Sequence, residues 1–429
     1  MGSGPPNFPT GPTAGLFEGL RVLELGQYVA APYAAELFAH GGADVIKVEP
    51  VTGDATRYNS PLGPDEGRQY IIKARGKRGI PLDFGTEEGR KVARELAIAS
   101  DVVITNMRPG VDVRLGLDFE SLIAENPSLV FGQISGFGNE GPLASRPSVD
   151  MIAQSWSGLN VSVGASHEGR PRHNETFLCD YTAGVLLAFG VSSALRAVAL
   201  GQPGQKVTTS LAHAALVLQH RNANVFEGID DWKRDVAGWV DELGLVGALE
   251  QRNERNLANP FFFNSYATAD GVVGIGAVGV MTKLLCDEFG VPYPRALPAW
   301  TDRPRRVGLF ADASAALTSA FAVLPSDEIV DRLQAHGIPV SRFRLLEEVM
   351  FDNDAEAGDL LHIWQHPTLG EVRMPSAPVS FSGADYRARD ASPALGEHTD
   401  EVLRELGYDE ATIQRLIADG VVGVESPAE

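Results

Sequence analysis

Residues 20–26, Leu20-Arg-Val-Leu-Glu-Leu-Gly26, lead through the small-residue run 32–40 to Ala43-Asp-Val-Ile-Lys-Val-Glu49, and this passage decides the fold. Its outer pieces read as short buried strands, the second closed by Pro50, and the run between them reads as a helix. Strand, helix and strand within about thirty residues form a βαβ unit, whose crossover requires a parallel sheet. The pattern recurs. Residues 78–82 are strand-like, and 86–99 form an amphipathic helix capped by Thr86, with Glu87 and Glu88 in its first turn. A strand at 101–105, a helix at 119–125, a strand at 129–134 and a Gly-rich turn at 135–141 follow. This alternation predicts a doubly wound α/β sheet with ligands at the carboxyl ends of its strands.

Farther along, 205–210 reads as a strand and the next helix as running to about residue 227. Residues 228–256 are charged, carry Trp232 and Trp239, and read as a helical connection. Beyond a change in composition, 264–269 and 271–279 read as a hairpin around Asp270-Gly271, with helices at 281–289, 313–323 and 327–336. Short strands and turns follow from Ile338, and 399–419 reads as a closing helix pair. The expected organisation is a lead-in at 1–16, a large α/β domain at 17–227, a linker and small domain at 228–336, and a return to the large domain at 337–429.

The chain has 429 residues, 44% hydrophobic and 21% charged, enough material for two cores. Its net charge of −20 opposes a nucleic acid or an anionic membrane surface as main partner. A polyanionic ligand must therefore meet a local basic cluster, and Arg75, Lys77, Arg78, Arg108 and Arg114 near predicted strand ends are the candidates. Two cysteines, Cys179 and Cys286, form neither a disulfide framework nor a metal-site spacing, which fits a reducing cytoplasm. No apolar run reads as a membrane span.

Asp180 stands where polar, turn-like sequence gives way to the long apolar run 185–200. A carboxylate at a helix start is held ionised by free backbone N–H groups and by the helix dipole, so taken alone it reads as a cap. Other patterns carry less. Gly274-Ile-Gly-Ala-Val-Gly279 matches the glycine spacing of dinucleotide-binding turns, but no second strand ending in an acidic residue follows, so a nicotinamide cofactor is not expected. His362 and His366 stand four apart without the glutamate of the zinc-binding helix, and no metal is expected. Cys179, and Ser210 with His213, lack the surroundings of a nucleophile.

Seven stretches, in order, resemble the signatures of the class III coenzyme A transferases, a family that includes alpha-methylacyl-CoA racemase. They are Gly19-Leu-Arg-Val-Leu-Glu-Leu, Gly42-Ala-Asp-Val-Ile-Lys-Val-Glu-Pro50, Gly76-Lys-Arg-Gly-Ile-Pro-Leu-Asp83, Asn106-Met-Arg-Pro-Gly110, Ile134-Ser-Gly-Phe-Gly138, Asp180-Tyr-Thr-Ala-Gly184 and Leu395-Gly-Glu-His-Thr-Asp400. The resemblance implies a Rossmann-like large domain built from both chain ends, a smaller α+β middle domain and an interlocked homodimer. It implies that Asp180 is the nucleophile and that coenzyme A or acyl-CoA, with a small carboxylic acid, is the substrate. By the same resemblance Leu82, Asp83, Phe84, Asn106, Met107, Arg108 and Arg114 contact coenzyme A, Val29 and Ala30 lie beside the active site, and Asp150 matches an acidic active-site residue. An ionised, low-pKa Asp180 is the expectation that follows.

The departures narrow the activity. Val149 stands where the racemases carry a histidine, which removes one of two bases and argues against racemisation; an acyl-CoA racemase or isomerase of the same fold and a non-catalytic CoA-binding protein are the alternatives to transfer. Val29 replaces a glutamine of the formyl-CoA transferases, and their run of consecutive glycines is missing, which argues against formyl-CoA and oxalate. Ala74 stands where the family often has asparagine, and residues 228–256 match it least.

Overall fold

The computed structural model describes residues 15–63, 66–163, 166–167, 170–172, 174–220, 223–255, 263–297, 303–388 and 390–424. Six strands pair in parallel throughout: β1 (Arg21–Leu25), β2 (Asp44–Glu49), β3 (Lys77–Pro81), β4 (Val102–Thr105), β5 (Val130–Ser135) and β6 (Lys206–Ser210). Their order is β6-β5-β4-β1-β2-β3. The chain starts mid-sheet, winds out to β3, then returns to β4 on the other side of β1. The direction of winding thus reverses between β1 and β4, where doubly wound sheets open a crevice.

Parallel strands are covered on both faces, which is why Val22, Leu23, Val103, Ile104 and Phe131 are all buried. One face packs on α1 (Ala30–His40) and the later 22-residue helix Leu178–Ala199, through residues such as Ala34, Phe38, Ala183 and Leu187. Between these helices in sequence lie α2 (Arg68–Ala74), α3 (Glu87–Ile98), α4 (Val111–Leu115) and α5 (Asp150–Trp156); the long helix is α6, and α7 (Leu211–Leu218) follows β6. The other face packs on α3 and on the C-terminal helices Thr399–Glu405 and Glu410–Ala418, through Val92, Leu96, Val402, Leu403, Ile413 and Leu416. Thr86 caps α3, its hydroxyl accepting from Gly89 N–H at 3.0 Å.

Three strands carry ionised groups into this core. Glu24 on β1 accepts from Lys47 Nζ of β2 at 2.8 Å and from Lys77 Nζ of β3 at 2.6 Å. Lys47 also pairs with Asp54 at 3.0 Å, and Arg57 forks onto Glu49 at 2.7 and 2.8 Å while stacking over the Tyr70 ring. Nearby, Arg75 bonds Glu36 of α1 at 2.9 Å. All are nearly solvent-free. Groups of this kind hold together only as a paired set, because each loses its water on folding.

The chain divides into two units. The first takes residues up to Glu227 and from Asp359 onward; the second is Gly228–Gly358. The expected return at 337 comes later, because Val340–Arg342 pairs with Val272–Gly276, the central strand of an antiparallel three-stranded sheet completed by Phe263–Ala267. Tyr266, Val273, Leu285, Leu317, Phe321, Ile329 and Leu333 form its core with helices Met281–Glu288, Arg303–Phe321 and Ser326–Ala335. Trp232 and Trp239 stack face to face at 5.9 Å in the stretch read as a connection.

Two expectations need correction, a helix end and the apolar run, and two weighed patterns find their structural place. The helix after β6 stops at Leu218, with a turn beyond it, rather than near 227. His362 and His366 lie on a strand, Leu361–His366, not on a helix. Gly274 and Gly276 belong to an antiparallel strand, so the glycine run lacks the parallel strand-to-helix turn that cradles a pyrophosphate. Finally, α6 is long and apolar enough by composition to cross a membrane, contrary to the sequence reading. Here it packs on α1, α7 and β5.

Candidate active site

The carboxyl ends of β1 and β5 open onto a cavity of about 1190 Å³ at the point where the winding reverses. The loop after β1 forms one wall. Gly26 is required there, since a Cβ would lie 2.5 Å from that of Ala31. Asn106, following β4, clamps the loop by accepting from Gln27 N–H at 3.0 Å and donating to Gln27 carbonyl oxygen at 2.8 Å. The clamp holds Tyr28 at φ 65°, a left-handed backbone that costs a tyrosine about 1–3 kcal/mol and recurs at functional sites.

Asp180 is the third residue of α6, half-buried in the cavity wall. One turn later Gly184 lets α6 close on α1: a Cβ there would meet Ala30 carbonyl oxygen at 2.9 Å and Tyr33 Cδ1 at 3.0 Å. That approach sets Asp180 in the same wall as Val29 and Ala30. Helix α1 begins at Ala30 with no side-chain cap, so its first-turn N–H groups are not taken up by a cap.

Asp180 does not cap its own helix. The cap comes from Asp150, the buried first residue of α5, whose Oδ2 accepts from Cys179 N–H at 2.7 Å and Asp180 N–H at 2.9 Å. Its other oxygen accepts from Gln154 Nε2. The N–H groups that would have stabilised an ionised Asp180 are thus already used. Among the described residues nothing donates to the Asp180 carboxylate, whose pKa is pushed up to about 7, first by burial, then by the charge of Asp150, with Lys73 pulling the other way. The expected low pKa is therefore overturned. The sign follows: a carboxylate raised in the fold makes stability fall as pH climbs from its ordinary value to about 7.

Val29, Ala30, Phe84, Asn106, Met107, Arg108, Arg114, Asp150 and Asp180 all line this one cavity. Leu82 and Asp83 do not. Leu82 is core and bridges to Val422, while Asp83 turns its carboxylate onto Gly85 N–H at 2.8 Å. Of the expected basic cluster, Arg75 and Lys77 are consumed in the buried network, and Arg78 pairs with Asp44, Glu401 and Glu405. Arg108 and Arg114 remain, joined by Arg90, which the sequence reading missed. Arg90 is held by Phe84 and Gly85 carbonyl oxygens at 2.8 and 3.1 Å; in sequence it looks like any polar position of an amphipathic helix. Three guanidinium groups on one cavity of so acidic a chain suit a phosphate-bearing ligand.

Other candidates resolve as structural. Burial, then the charges of Asp150 and Asp180, push the Cys179 thiol up to about 12, out of nucleophile range. Ser210 is buried and caps α7, accepting from His213 N–H at 3.1 Å. Among the described residues no three His, Cys, Asp or Glu side chains gather as a metal site. Val149, the residue before Asp150, carries no titratable group.

A family model described as CoA-transferase family III matches residues 17–399. The cinnamoyl-CoA:phenyllactate CoA-transferase of Clostridium sporogenes is 31% identical over 416 residues, 94% of this chain and 96% of that protein. The formyl-CoA:oxalate CoA-transferase of Streptomyces avermitilis is 29% identical over 417 residues, 94% and 99% of the two chains. Among solved structures, Rv3272 of Mycobacterium tuberculosis superposes with a TM-score of 0.74 at 25% identity, covering 91% of this chain and all of that one. A CAIB/BAIF family protein of Brucella suis gives a TM-score of 0.68 at 26% identity over 91% of this chain and 98% of its own.

Proposed function

This chain belongs to CoA-transferase family III, and on that premise we propose that it moves coenzyme A from an acyl-CoA to a carboxylic acid through covalent chemistry at Asp180. One observation carries the reading: the Asp180 carboxylate faces the cavity without a donor while Asp150 does the capping. A half-buried carboxylate without a hydrogen-bond donor is a better nucleophile than one fully hydrated in solution.

The steps balance without an outside reagent. An Asp180 oxygen attacks the thioester carbonyl, a C–O bond forms, the C–S bond breaks, and the electron pair leaves on the coenzyme A sulfur. The product is a mixed acyl–aspartyl anhydride. The thiolate attacks the aspartyl carbonyl and releases the donor acid, giving an aspartyl-CoA thioester. The acceptor carboxylate attacks that thioester, and the thiolate then takes the acceptor acyl group and restores Asp180. The first-turn N–H groups of α1 are suited to the developing oxyanion, and Arg90, Arg108 and Arg114 to the phosphates. Asn106 and Met107 line the path between. Val149 gives no second base for proton exchange at the α-carbon.

We place the reaction in the cytoplasm and in a homodimer. Exposed apolar side chains on α5 and α6, among them Met151, Ile152, Trp156, Val185 and Phe189, support the second assignment. Light scattering is expected to give twice the chain mass; a monomer would contradict it.

The functional test is exchange of coenzyme A between a panel of acyl-CoAs and carboxylic acids, followed by chromatography against pH. The rate should rise through about pH 7 as Asp180 ionises. In Asp150→Asn the amide oxygen can still accept from Cys179 and Asp180 N–H, and a flipped Gln154 can present its now unpartnered Oε1 to the new N–H. The charge is removed, with the Gln154 bond to Thr176 carbonyl oxygen lost in the flip. The rising limb should move down by about one unit, raising transfer at about pH 6 roughly fivefold. An unmoved limb, or no exchange with any pair of substrates, would count against the reading.

A further inference from the structure

The turn that follows β4 is held from behind by a buried polar chain that no step of the reaction uses. Arg108 and Arg114 stand at the two ends of this turn, exposed on the cavity, with no ion pair or hydrogen bond to either guanidinium group among the described residues. Asp112 lies between them in sequence and is only 3% exposed. It forms no ion pair with either arginine; its bonds run inward instead.

Oδ1 of Asp112 accepts from Gly110 N–H at 3.1 Å and from Val113 N–H at 3.0 Å, closing the turn on itself, with Gly110 in the left-handed region at φ 84°. Oδ2 accepts from Nε2 of Gln133 on β5 at 3.2 Å, and Gln133 Oε1 accepts from Asn139 Nδ2 at 2.9 Å in the Gly-rich turn beyond β5. Gln133 is buried and stands opposite Thr105, the last residue of β4, in the parallel register. The turn that carries the arginines is thus tied to the neighbouring strand and to the segment that adds Ser135 and Gly136 to the cavity wall. A carboxylate only accepts, and this sets the direction of the chain: it fixes the amide of Gln133, which fixes that of Asn139 and leaves Asn139 Oδ1 buried without a partner. Buried negative charge is tolerated only when fully bonded, and these donors bond it without a counter-ion. Turned outward, Asp112 would neutralise its own arginines; turned inward, it leaves both for an anion.

We propose that Asp112 is a positioning residue for coenzyme A: by bonding inward to Gln133 it holds Arg108 and Arg114 in place for the phosphates before the ligand arrives. The assignment rests on the reading of this cavity as the coenzyme A site and identifies what prepares it. Groups already in place lose less freedom on binding, so affinity depends on the tether. The sign separates this role from simple electrostatics. A carboxylate close to the phosphates repels them, so removing its charge alone tightens binding, whereas removing the tether loosens it.

The test is calorimetric titration with coenzyme A, beside transfer kinetics with the acyl group that wild type uses best, offered as its coenzyme A thioester and as its pantetheine thioester, which has no phosphate. Asp112→Ala should raise the Kd of coenzyme A and the KM of its thioester about tenfold, with kcat within about twofold and the pantetheine thioester used as by wild type. In Asp112→Asn, flips of Gln133 and Asn139 remake both bonds of the chain and leave only the same end of Asn139 unpartnered, so Kd should stay at or below the wild-type value. Asp112→Ala that binds coenzyme A within about twofold of wild type, or that loses activity equally on both thioesters, would overturn the role. Should Asp112→Ala not fold, Gln133→Met, which keeps about the same volume and cuts the tether, carries the same expectation, and an unchanged Kd there refutes it. Wild type that binds no coenzyme A would instead remove the reading beneath.

Discussion

Asp180→Asn is expected to lower coenzyme A transfer by about 10⁴-fold or more while leaving coenzyme A affinity within about twofold. The amide keeps the size and nearly the shape of the carboxylate but has no anionic oxygen to attack a thioester. Binding should survive because the groups suited to the phosphates, Arg90, Arg108 and Arg114, reach the cavity from α3 and from the segment after β4, away from α6. The α6 cap should survive too, since it depends on the Asp180 backbone N–H and on Asp150. The substitution also removes a carboxylate that burial and Asp150 hold up at about 7. The variant should therefore be at least as stable as wild type above neutral pH. Isothermal titration with coenzyme A, beside the transfer assay, separates the effects. Transfer retained within about tenfold would end the assignment of Asp180.

The largest stability effect is expected at Glu24. Its two oxygens accept from Lys47 and Lys77 with no solvent access, tying β1 to β2 and β3. In Glu24→Gln the neutral amide cannot hold two ammonium groups. The amide oxygen can accept from one of them, and the other is left either as Lys77 with Pro32 carbonyl oxygen alone or as Lys47 with Asp54 and Gly26 carbonyl oxygen. Stranding buried charge in this way costs about 3–5 kcal/mol, a large share of a domain's net stability. Because β1 leads directly into the Gln27–Tyr28 loop, activity should fall at temperatures where the fold still holds. Urea unfolding, read on the transition that exposes the large unit, checks this; a loss under about 1 kcal/mol would mean the network is held otherwise.

Much of the fold was legible because the signals were local. The βαβ unit showed in a period that switches from strand to helix between Gly26 and Ala43, and the Thr86 cap showed in its own two following glutamates. Asp180 was legible as a helix-start carboxylate, and Asn106, Arg108 and Arg114 through the stretch that carries them. What sequence spacing could not show was long-range. Asp150 and Asp180 are 30 residues apart, and only folding brings the first onto the other's N–H groups. That contact takes over the capping role, and together with burial, the larger cause, it reverses the pKa inferred for Asp180. Similarly, Lys77 and Arg75 read in sequence as part of a basic cluster for a polyanion, and only folding shows them bonded to Glu24 and Glu36 inside the core. Arg90 gave no signal at all, because its role is set by two carbonyl oxygens of a loop that precedes its helix.

The covalent role of Asp180 is tested most directly by incubating the protein with a series of acyl-CoAs, quenching with hydroxylamine and analysing the peptide that contains Asp180 by mass spectrometry. An activated aspartyl carbonyl should be captured as a hydroxamate on Asp180, absent from Asp180→Asn, with the acyl-CoA that gives most of it identifying the donor class. Transfer of coenzyme A under the same conditions with no modification at Asp180 would contradict the account.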